Sequence, residues 1–422
     1  MLKAYKYRLY PTKRQERLLT EQLEELRWLW NTLLAERKIA WEERQEAVSY
    51  YDQQNALPTM KTSLRPPLAQ VHSLVVQDVV RRLQKAMDAF FRRLKAGENP
   101  GYPRFRGKGR YDSLTYPQWD NGVKLSASGK RLILSKIGDV KLIAHRLLDG
   151  TPKTVTIRRT PTGKWFVTIS CEWEPTPLPP TGQEVGIDVG LKVFAMPSVG
   201  DPLENPRFFR AEEHELGKVQ RKHQVALAVH KAVRATLTQQ VKQACPDLDA
   251  RAVWTRVSQD TDEQKAWRER QRRRRIVART HERIRWRRSD FTHQASRRLV
   301  NHYDLLAVEA LSVQNMMANH ALAKSIHDAA WTQFASLLAC KAAWADRRLV
   351  AVNPAYTSQD CSGCGWRHPG LTLADRMFHC QNPARPDCGL VLDRDRNASL
   401  NILARGKALL NQDRQMRPMA LG

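Results

Sequence analysis

Four cysteines in the last quarter of the chain constrain it most. They form the pattern Cys361-x2-Cys364 and, fifteen residues on, Cys380-x7-Cys388. Paired thiolates at such spacing suit a tetrahedral divalent ion. Four of them leave no open coordination position, so the pattern predicts a small structural zinc unit. The first pair is a tight knuckle, Cys-Ser-Gly-Cys-Gly. The second is lengthened by Gln381-Asn382-Pro383-Ala384-Arg385-Pro386-Asp387, which leaves His368 and His379 as substitute ligands. Cys171, Cys245 and Cys340 are scattered, and the odd total of seven argues against a disulfide framework.

The 422 residues suffice for two or three domains, each with its own core. There is no run of about 18 apolar residues, and the N-terminus lacks the apolar core of a leader. The expectation is a cytoplasmic, nucleoid-associated prokaryotic protein with no membrane partner. A net charge of +27 points to a polyanionic partner, because each neutralised phosphate releases counterions. The charge is uneven: residues 268–298 hold thirteen arginines.

Alternation over 1–10 reads as a strand, broken by Pro11. Leu18, Leu19, Leu23, Leu26, Leu29, Trp30, Leu33 and Leu34 then recur at helical steps. A second helix is predicted from about Pro67 to Leu94, packed on the first. Short strands at 131–134, 140–143, 154–157 and 165–169 suggest a small β-barrel, which the first strand joins with the helices inserted. Glu174-Pro175-Thr176-Pro177-Leu178-Pro179-Pro180-Thr181-Gly182 reads as a stiff linker and domain boundary. Beyond it come a strand (184–197), long basic helices (212–300), a strand (303–309), a helix (324–346), a strand (348–353), the cysteine segment and a helix from about 396. That alternation argues for an α/β sheet domain.

Three separated acids stand in this second part. Asp188 lies among Val185, Ile187 and Val189; Glu309 ends the apolar run Leu305-Leu306-Ala307-Val308; Asp395 precedes the helical run Asn397-Ala398-Ser399-Leu400-Asn401. A carboxylate in an apolar strand needs a partner or a metal. With the two strands adjacent, Asp188, Glu309 and Asp395 would converge, and two Mg²⁺ ions about 3.5–4 Å apart would relieve their repulsion and clamp a phosphodiester. Asp393 competes with Asp395 for the third place.

For nucleic-acid contact the arginine run offers Arg272, Arg273, Arg274 and Arg275 as phosphate partners. Their four consecutive positions cover every side of a helix, so some of them are solvated. Ser73 and Gln77 lie four apart on one helical face, and Gln can read adenine in a groove; a surface pair is the plainer alternative. Tyr102, Arg104 and Phe105 lie in a basic loop whose aromatics stack on bases or pack the loop.

Gly-Ile-Asp-Val-Gly-Leu-Lys (186–192), Ala-Val-Glu-Ala-Leu (307–311), Thr-Ser-Gln-Asp-Cys-Ser-Gly-Cys-Gly (357–365) and Leu-Asp-Arg-Asp-Arg-Asn-Ala-Ser-Leu-Asn-Ile (392–402) closely resemble TnpB, the RNA-guided DNA endonucleases of insertion sequences. Tyr-Arg-Leu-Tyr-Pro-Thr (7–12), Pro-Arg-Phe-Arg (103–106) and Ser-Ile-His-Asp-Ala-Ala-Trp (325–331) extend the resemblance over nearly the whole chain. It implies a multidomain protein of α/β, all-β and all-α parts: a wedge-like β-barrel (1–10 and 97–180) with a helical REC-like insertion (11–96), then an RNase H-like RuvC domain (183–356 and 391–410) interrupted by a zinc-ribbon-like target-nucleic-acid-binding domain (357–390), and a tail (411–422).

The resemblance further implies Asp188, Glu309 and Asp395 as catalytic acids holding two Mg²⁺, a structural Zn²⁺ on Cys361, Cys364, Cys380 and Cys388, and a transposon-derived guide RNA (ωRNA). The DNA partner would be a duplex with a short adjacent motif, sequence otherwise being read by base pairing. The chain departs from the pattern in its long second knuckle, at Ser73, and at 239–269, which looks longer than usual. The rival readings are a compact type V CRISPR effector, a nuclease-dead guided repressor and a DNA-joining transposase. Whether the protein is a monomer or a dimer stays open.

Overall fold

The computed structural model describes residues 1–416 apart from Leu373, with side chains to Gln412. The chain divides into two units that meet at Glu174 and Pro175, at the start of the proline-rich stretch. That stretch is not a free spacer. Leu178 N–H donates to Ala345 O (3.1 Å) and Arg347 donates to Pro179 O (2.7 Å). Residues 175–182 thus dock onto the second unit.

In the first unit, β1 (Leu2–Tyr10) buries Tyr5, Tyr7 and Leu9 on one face. Thr12 opens α1 (Lys13–Arg44) through a reciprocal cap with Gln15, 3.3 and 3.0 Å. The leucine stripe is buried as the periodicity predicts, except Leu18, which is half-buried. α2 (Tyr50–Thr59), opened by a Ser49–Asp52 box, has too little apolar pattern to be read from sequence. α3 (Ser73–Lys95) begins six residues later than Pro67. Pro66 and Pro67 lack N–H groups and form a separate 3₁₀ turn, and extended His72 caps the helix instead.

Six further strands complete the sheet: β2 (Ser113–Tyr116), β3 (Val123–Leu125), β4 (Arg131–Leu134), β5 (Gly138–Ile143), β6 (Thr151–Arg159) and β7 (Trp165–Glu172). The order is β2-β6-β7-β1-β5-β4-β3, all antiparallel, with β1 central. The edge strands β2 and β3 are joined by residues 117–122, so the sheet is nearly but not fully closed. Both escaped the sequence reading: Ser113-Leu114-Thr115-Tyr116 and Val123-Lys124-Leu125 each hold only two apolar residues. One hydrophobic core joins this sheet to the three helices.

The second unit has a five-stranded sheet, β10-β9-β8-β11-β12: β8 (Glu184–Val189), β9 (Val193–Pro197), β10 (Leu203–Glu204), β11 (Leu305–Glu309) and β12 (Arg348–Val352). β8, β11 and β12 are parallel; β9 alone runs against them, pairing antiparallel with both β8 and the short β10. The single strand expected over 184–197 is therefore a hairpin, turning at Gly190-Leu191-Lys192. Gly190 is needed there, since a Cβ would lie 2.9 Å from Val193 O.

Between β10 and β11 run α4 (Phe208–Ala244), α5 (Ala250–Gln259) and α6 (Thr261–His302); the unexplained 239–269 segment is the turn of this helical arm. α7 (Val313–Met316), α8 (His320–Ala329) and α9 (Trp331–Trp344) follow. The helix expected over 324–346 breaks at Ala330, which adopts φ 56°. β13 (Met377–His379) and β14 (Val391–Asp393) pair, and α10 (Arg394–Met416) ends the described chain. The expected tail is helix to Met416, and 417–422 lie outside the described residues. Among the described residues no helix is long and apolar enough to cross a membrane.

Candidate active site and metal centre

Parallel pairing sets the acids. The last register pair of β8 and β11 is Ile187 with Val308, so Asp188 and Glu309 come next on neighbouring strands, at their carboxyl ends. Side chains at matching positions share a face of the sheet. The third acid arrives on α10. Asp393, the competing carboxylate, is the helix cap: its Oδ1 accepts from the N–H of Asp395 (2.9 Å) and Arg396 (3.1 Å). Arg396 ties the same turn to β9 through Pro197 O (2.7 Å) and to Gly200 O (2.9 Å). Asp395 is left to face the strands.

Small residues let α10 lie against them. A Cβ on Gly186 would sit 2.0 Å from Ser399 O and 2.6 Å from Leu403 N, and one on Gly406 would meet the Ala307 Cβ at 2.7 Å. The glycine two residues before Asp188 thus admits the helix that carries Asp395. Gly186→Ala forces backbone apart, and overpacking of this kind costs about 1–3 kcal/mol. The expected outcome is a lower melting temperature; thermal unfolding checks it, and an unchanged melting temperature would refute the close approach.

Asp188 feels the other two acids. The Asp188 carboxyl is pushed up to about 8, first by burial, then by the charges of Glu309 and Asp395, with Arg394 opposing. Burial also raises Glu309, against the Thr357 hydroxyl that donates to its Oε1 at 2.5 Å and the Arg405 charge. Arg394 lies 3.5 Å from Asp395. The acids do not form a single tight chelate: among the described residues only the cysteines gather three or more ligand atoms within 4.8 Å.

A stability consequence follows. Asp188 holds its proton more tightly folded than unfolded, where its ordinary value is 3.8. Unfolding therefore releases a proton between pH 4 and 8, and stability falls as pH rises through that window, by at most about 1.4 kcal/mol per pH unit. Without added magnesium, Asp188→Asn should flatten the fall and raise the melting temperature near pH 8. Parallel wild-type and variant curves would refute it.

A polar ladder on α10 joins the acids to the cysteines. Asn397, fully buried, donates to Asp360 O (2.8 Å) and accepts from Ser362 N–H (2.9 Å). Asn401, one turn on, donates to Thr357 O (2.9 Å) and Asp360 O (2.6 Å). Arg405 reaches Asn353 O, Ala355 O and the Asp360 carboxylate. Sequence reasoning missed these three, although their i, i+4, i+8 spacing marks one helix face. They hold the loop that carries Thr357 to Glu309 and leads into Cys361.

The cysteines converge. Cys361 and Cys388 sulfurs are 3.8 Å apart, and those of Cys364 and Cys380 are 3.5 Å apart. These are far longer than a disulfide, about 2.05 Å, and close to the edge of a tetrahedron with metal–sulfur bonds of about 2.3 Å. The lengthened knuckle fits because 381–387 loops out of the β13–β14 hairpin, and Cys380 N–H still pairs with Leu390 O (2.8 Å). Asn382 from this insertion donates to Cys364 Sγ (3.4 Å) and draws that thiol down toward the thiolate. His368 and His379 do not join the set.

The comparisons bear on this constellation. Residues 331–402 match the Cas12f1-like TNB domain, 1–46 a helix-turn-helix domain and 235–320 a family described as "Probable transposase". The chain is 34% identical over 411 residues to a Streptomyces pristinaespiralis protein named "Putative RNA-guided DNA endonuclease", covering 96% of this chain and 90% of that one. It is 28% identical to InsQ of Escherichia coli, which bears the same description, covering 97% and 93%. The TnpB-like protein L79 of Acanthamoeba polyphaga mimivirus matches at 27% over 30% of this chain and 24% of its own. The chain belongs to the TnpB family. A likeness to a Cas12f1 chain solved with guide RNA and target DNA is loose, with 12% identity, a TM-score of 0.32 and coverage of 96% and 99%.

In this TnpB protein the segment matched as helix-turn-helix is a strand followed by one long helix. Ser73 and Gln77 are exposed on α3, and Tyr102, Arg104 and Phe105 are exposed on their loop. Of the four arginines on α6, Arg272 and Arg273 are held by Glu269 at 2.7 and 2.6 Å. Arg274 and Arg275 are exposed and make no ion pair among the described residues.

Proposed function

We propose that this protein is an RNA-guided DNA endonuclease that hydrolyses target DNA at Asp188, Glu309 and Asp395. The observation that carries the reading is the convergence on Asp188, at the end of β8, of the charges of Glu309 at the end of β11 and Asp395 at the start of α10. Strand pairing supports the cleft, and membership of the TnpB family supports the chemistry.

The donor set suits hard divalent cations such as Mg²⁺. Bound there, two such ions supply positive charge to the attacking and leaving oxygens of a phosphodiester and an activated water. Asp188 and Asp395 would hold such cations. Glu309 is aimed by the Thr357 hydroxyl. Arg394 tempers the local negative charge before the ions arrive. The cysteine set fits a structural Zn²⁺ and steadies the loop behind Glu309.

The first unit, as a wedge-like barrel with REC-like helices, would grip a transposon-derived guide RNA and read a short adjacent motif in duplex DNA. Residues 183–356 and 391–410 would form the RuvC nuclease, and 357–390 the target-nucleic-acid-binding insert. Base pairing supplies the remaining specificity. The Cas12f1-like match over 331–402 favours one second reading, a compact type V CRISPR effector. Sequencing RNA that co-purifies with the protein tests both. A discrete structured RNA from a transposon end supports the proposal, an RNA from a repeat array supports the second reading, and no bound RNA overturns both.

A further inference from the structure

Beside the end of β8 lies a cavity of about 570 Å³, walled by the 190–192 turn, the start of α4, α8 and Arg376. Four cations line it, Lys192, Arg207, Arg210 and Arg376, and all four are exposed. Arg210 donates to Glu213 (3.2 Å); the other three make no ion pair among the described residues. The one acid on the wall, Asp328, is only 7% exposed and already engaged. Both its oxygens accept from the Phe209 N–H at 3.0 Å, which caps α4. The charge that remains attracts an anion and repels a cation.

The cations are held in place at some cost. Asn205 donates to Leu191 O (2.9 Å) and accepts from the Arg207 N–H (3.2 Å), so it ties the turn carrying Lys192 to Arg207. Arg207 itself adopts φ 45°, in the left-handed region that any residue with a Cβ disfavours. Backbone strain of this kind gathers at ligand sites.

The cavity borders two of the three acids. Asp188 stands just before the 190–192 turn. Arg376 O accepts from the Arg394 N–H (2.8 Å), and Arg394 lies 3.5 Å from Asp395. In the sheet, β8 has β9 on one side and β11, with Glu309, on the other. A DNA strand laid across the acids therefore leaves them past the cavity on the β9 side. Its backbone offers one negative charge per linkage there.

We infer that the cavity seats a phosphate of the cut DNA strand, neighbouring the one that is hydrolysed, with Lys192, Arg207 and Arg376 as its donors. The inference deepens the nuclease reading above and rests on it. Guanidinium forks fix the orientation of a phosphate, whereas Lys192 adds a point charge. Anchoring the neighbouring linkage would hold the cleaved one in register with the acids.

The test uses the full chain with its guide RNA and a matching DNA duplex. The cut strand carries one neutral methylphosphonate, moved one linkage at a time away from the cut on either side. Single-turnover cleavage and filter binding are read on each DNA. One flanking linkage should slow wild-type cutting about tenfold, the scale of one charge-assisted hydrogen bond, with guided binding unchanged. Arg376→Gln should cut ordinary DNA about tenfold more slowly and lose nothing further to that same methylphosphonate. Arg207→Gly removes the side chain and relieves the backbone, so it should cut more slowly yet melt no lower than the wild type.

Methylphosphonates harmless at every linkage, or equally costly in the wild type and Arg376→Gln, overturn the seat and leave the nuclease reading intact. Weaker guide-RNA binding in both variants, with their response to methylphosphonate unchanged, gives the cavity to the guide RNA and overturns the seat as well. Ordinary target DNA left uncut by the wild type overturns the nuclease reading itself, and the seat with it.

Discussion

Asp188→Asn is expected to eliminate DNA cutting while guide RNA and guided DNA remain bound. The cleavage rate falls by about 10³-fold or more, the scale for removing one member of a set that acts as a unit. Asn keeps the shape of the side chain and removes its charge. Asp188 is the acid that feels both of the others, and as Asn it can no longer ionise to hold a divalent ion in the cleft. Glu309→Gln and Asp395→Asn should each cost about as much, and the double variants little more, because the acids act together. Single-turnover cleavage and filter binding measure the two quantities separately. Equal loss of binding and cutting would assign Asp188 a structural role, and retained cutting would remove it from the mechanism. The same substitution should stabilise the protein near pH 8 without added magnesium. Loss of function with gain of stability is the signature of an acid kept in place against its own repulsion.

Much of this site was readable from residues alone. A carboxylate inside or ending an apolar strand is conspicuous, and Asp188 and Glu309 are such cases. Asp-x-Asn before a helical run was legible too, although only the cap geometry separates Asp393 from Asp395. What stayed hidden depends on partners far along the chain. Gly186 reads as an ordinary small residue until α10 is found against it. Asn397, Asn401 and Arg405 read as a polar helix face until the 353–362 loop is found bonded to them. The 184–197 run reads as one strand because its turn, Gly190-Leu191-Lys192, is short and half apolar. α3 was placed too early because prolines 66 and 67 are compatible with a helix start and here form their own turn. Local chemistry was legible, and the long-range contacts that aim it were not.

Those contacts make the cysteine set more than a distant staple. Cys361 follows Asp360, whose carbonyl accepts from both Asn397 and Asn401 and whose carboxylate accepts from Arg405. Thr357, in the same loop, holds Glu309. A disturbance at the first knuckle therefore has a short bonded route to two of the three acids, through the loop to Glu309 and through α10 to Asp395.

Removing the metal from the cysteines should accordingly abolish cutting. Cys361→Ser together with Cys364→Ser, or prolonged zinc-selective chelation, leaves the converging side chains at 361, 364, 380 and 388 with nothing to hold them together. Structural zinc supplies about 10–16 kcal/mol in small tetrathiolate-type units, more than the short β13–β14 hairpin can replace. The wild type should carry about one zinc per chain, and the variant none. Proteolysis should then open the 361–388 segment. Cleavage should fall by an order of magnitude or more even when magnesium is abundant, while the first unit, with its separate core, keeps its thermal transition. Metal analysis, limited proteolysis and cleavage on the same preparations distinguish the cases. A zinc-free protein that cuts at the wild-type rate would show that the Asn397–Asp360 and Thr357–Glu309 bonds hold the acids without help from the knuckle.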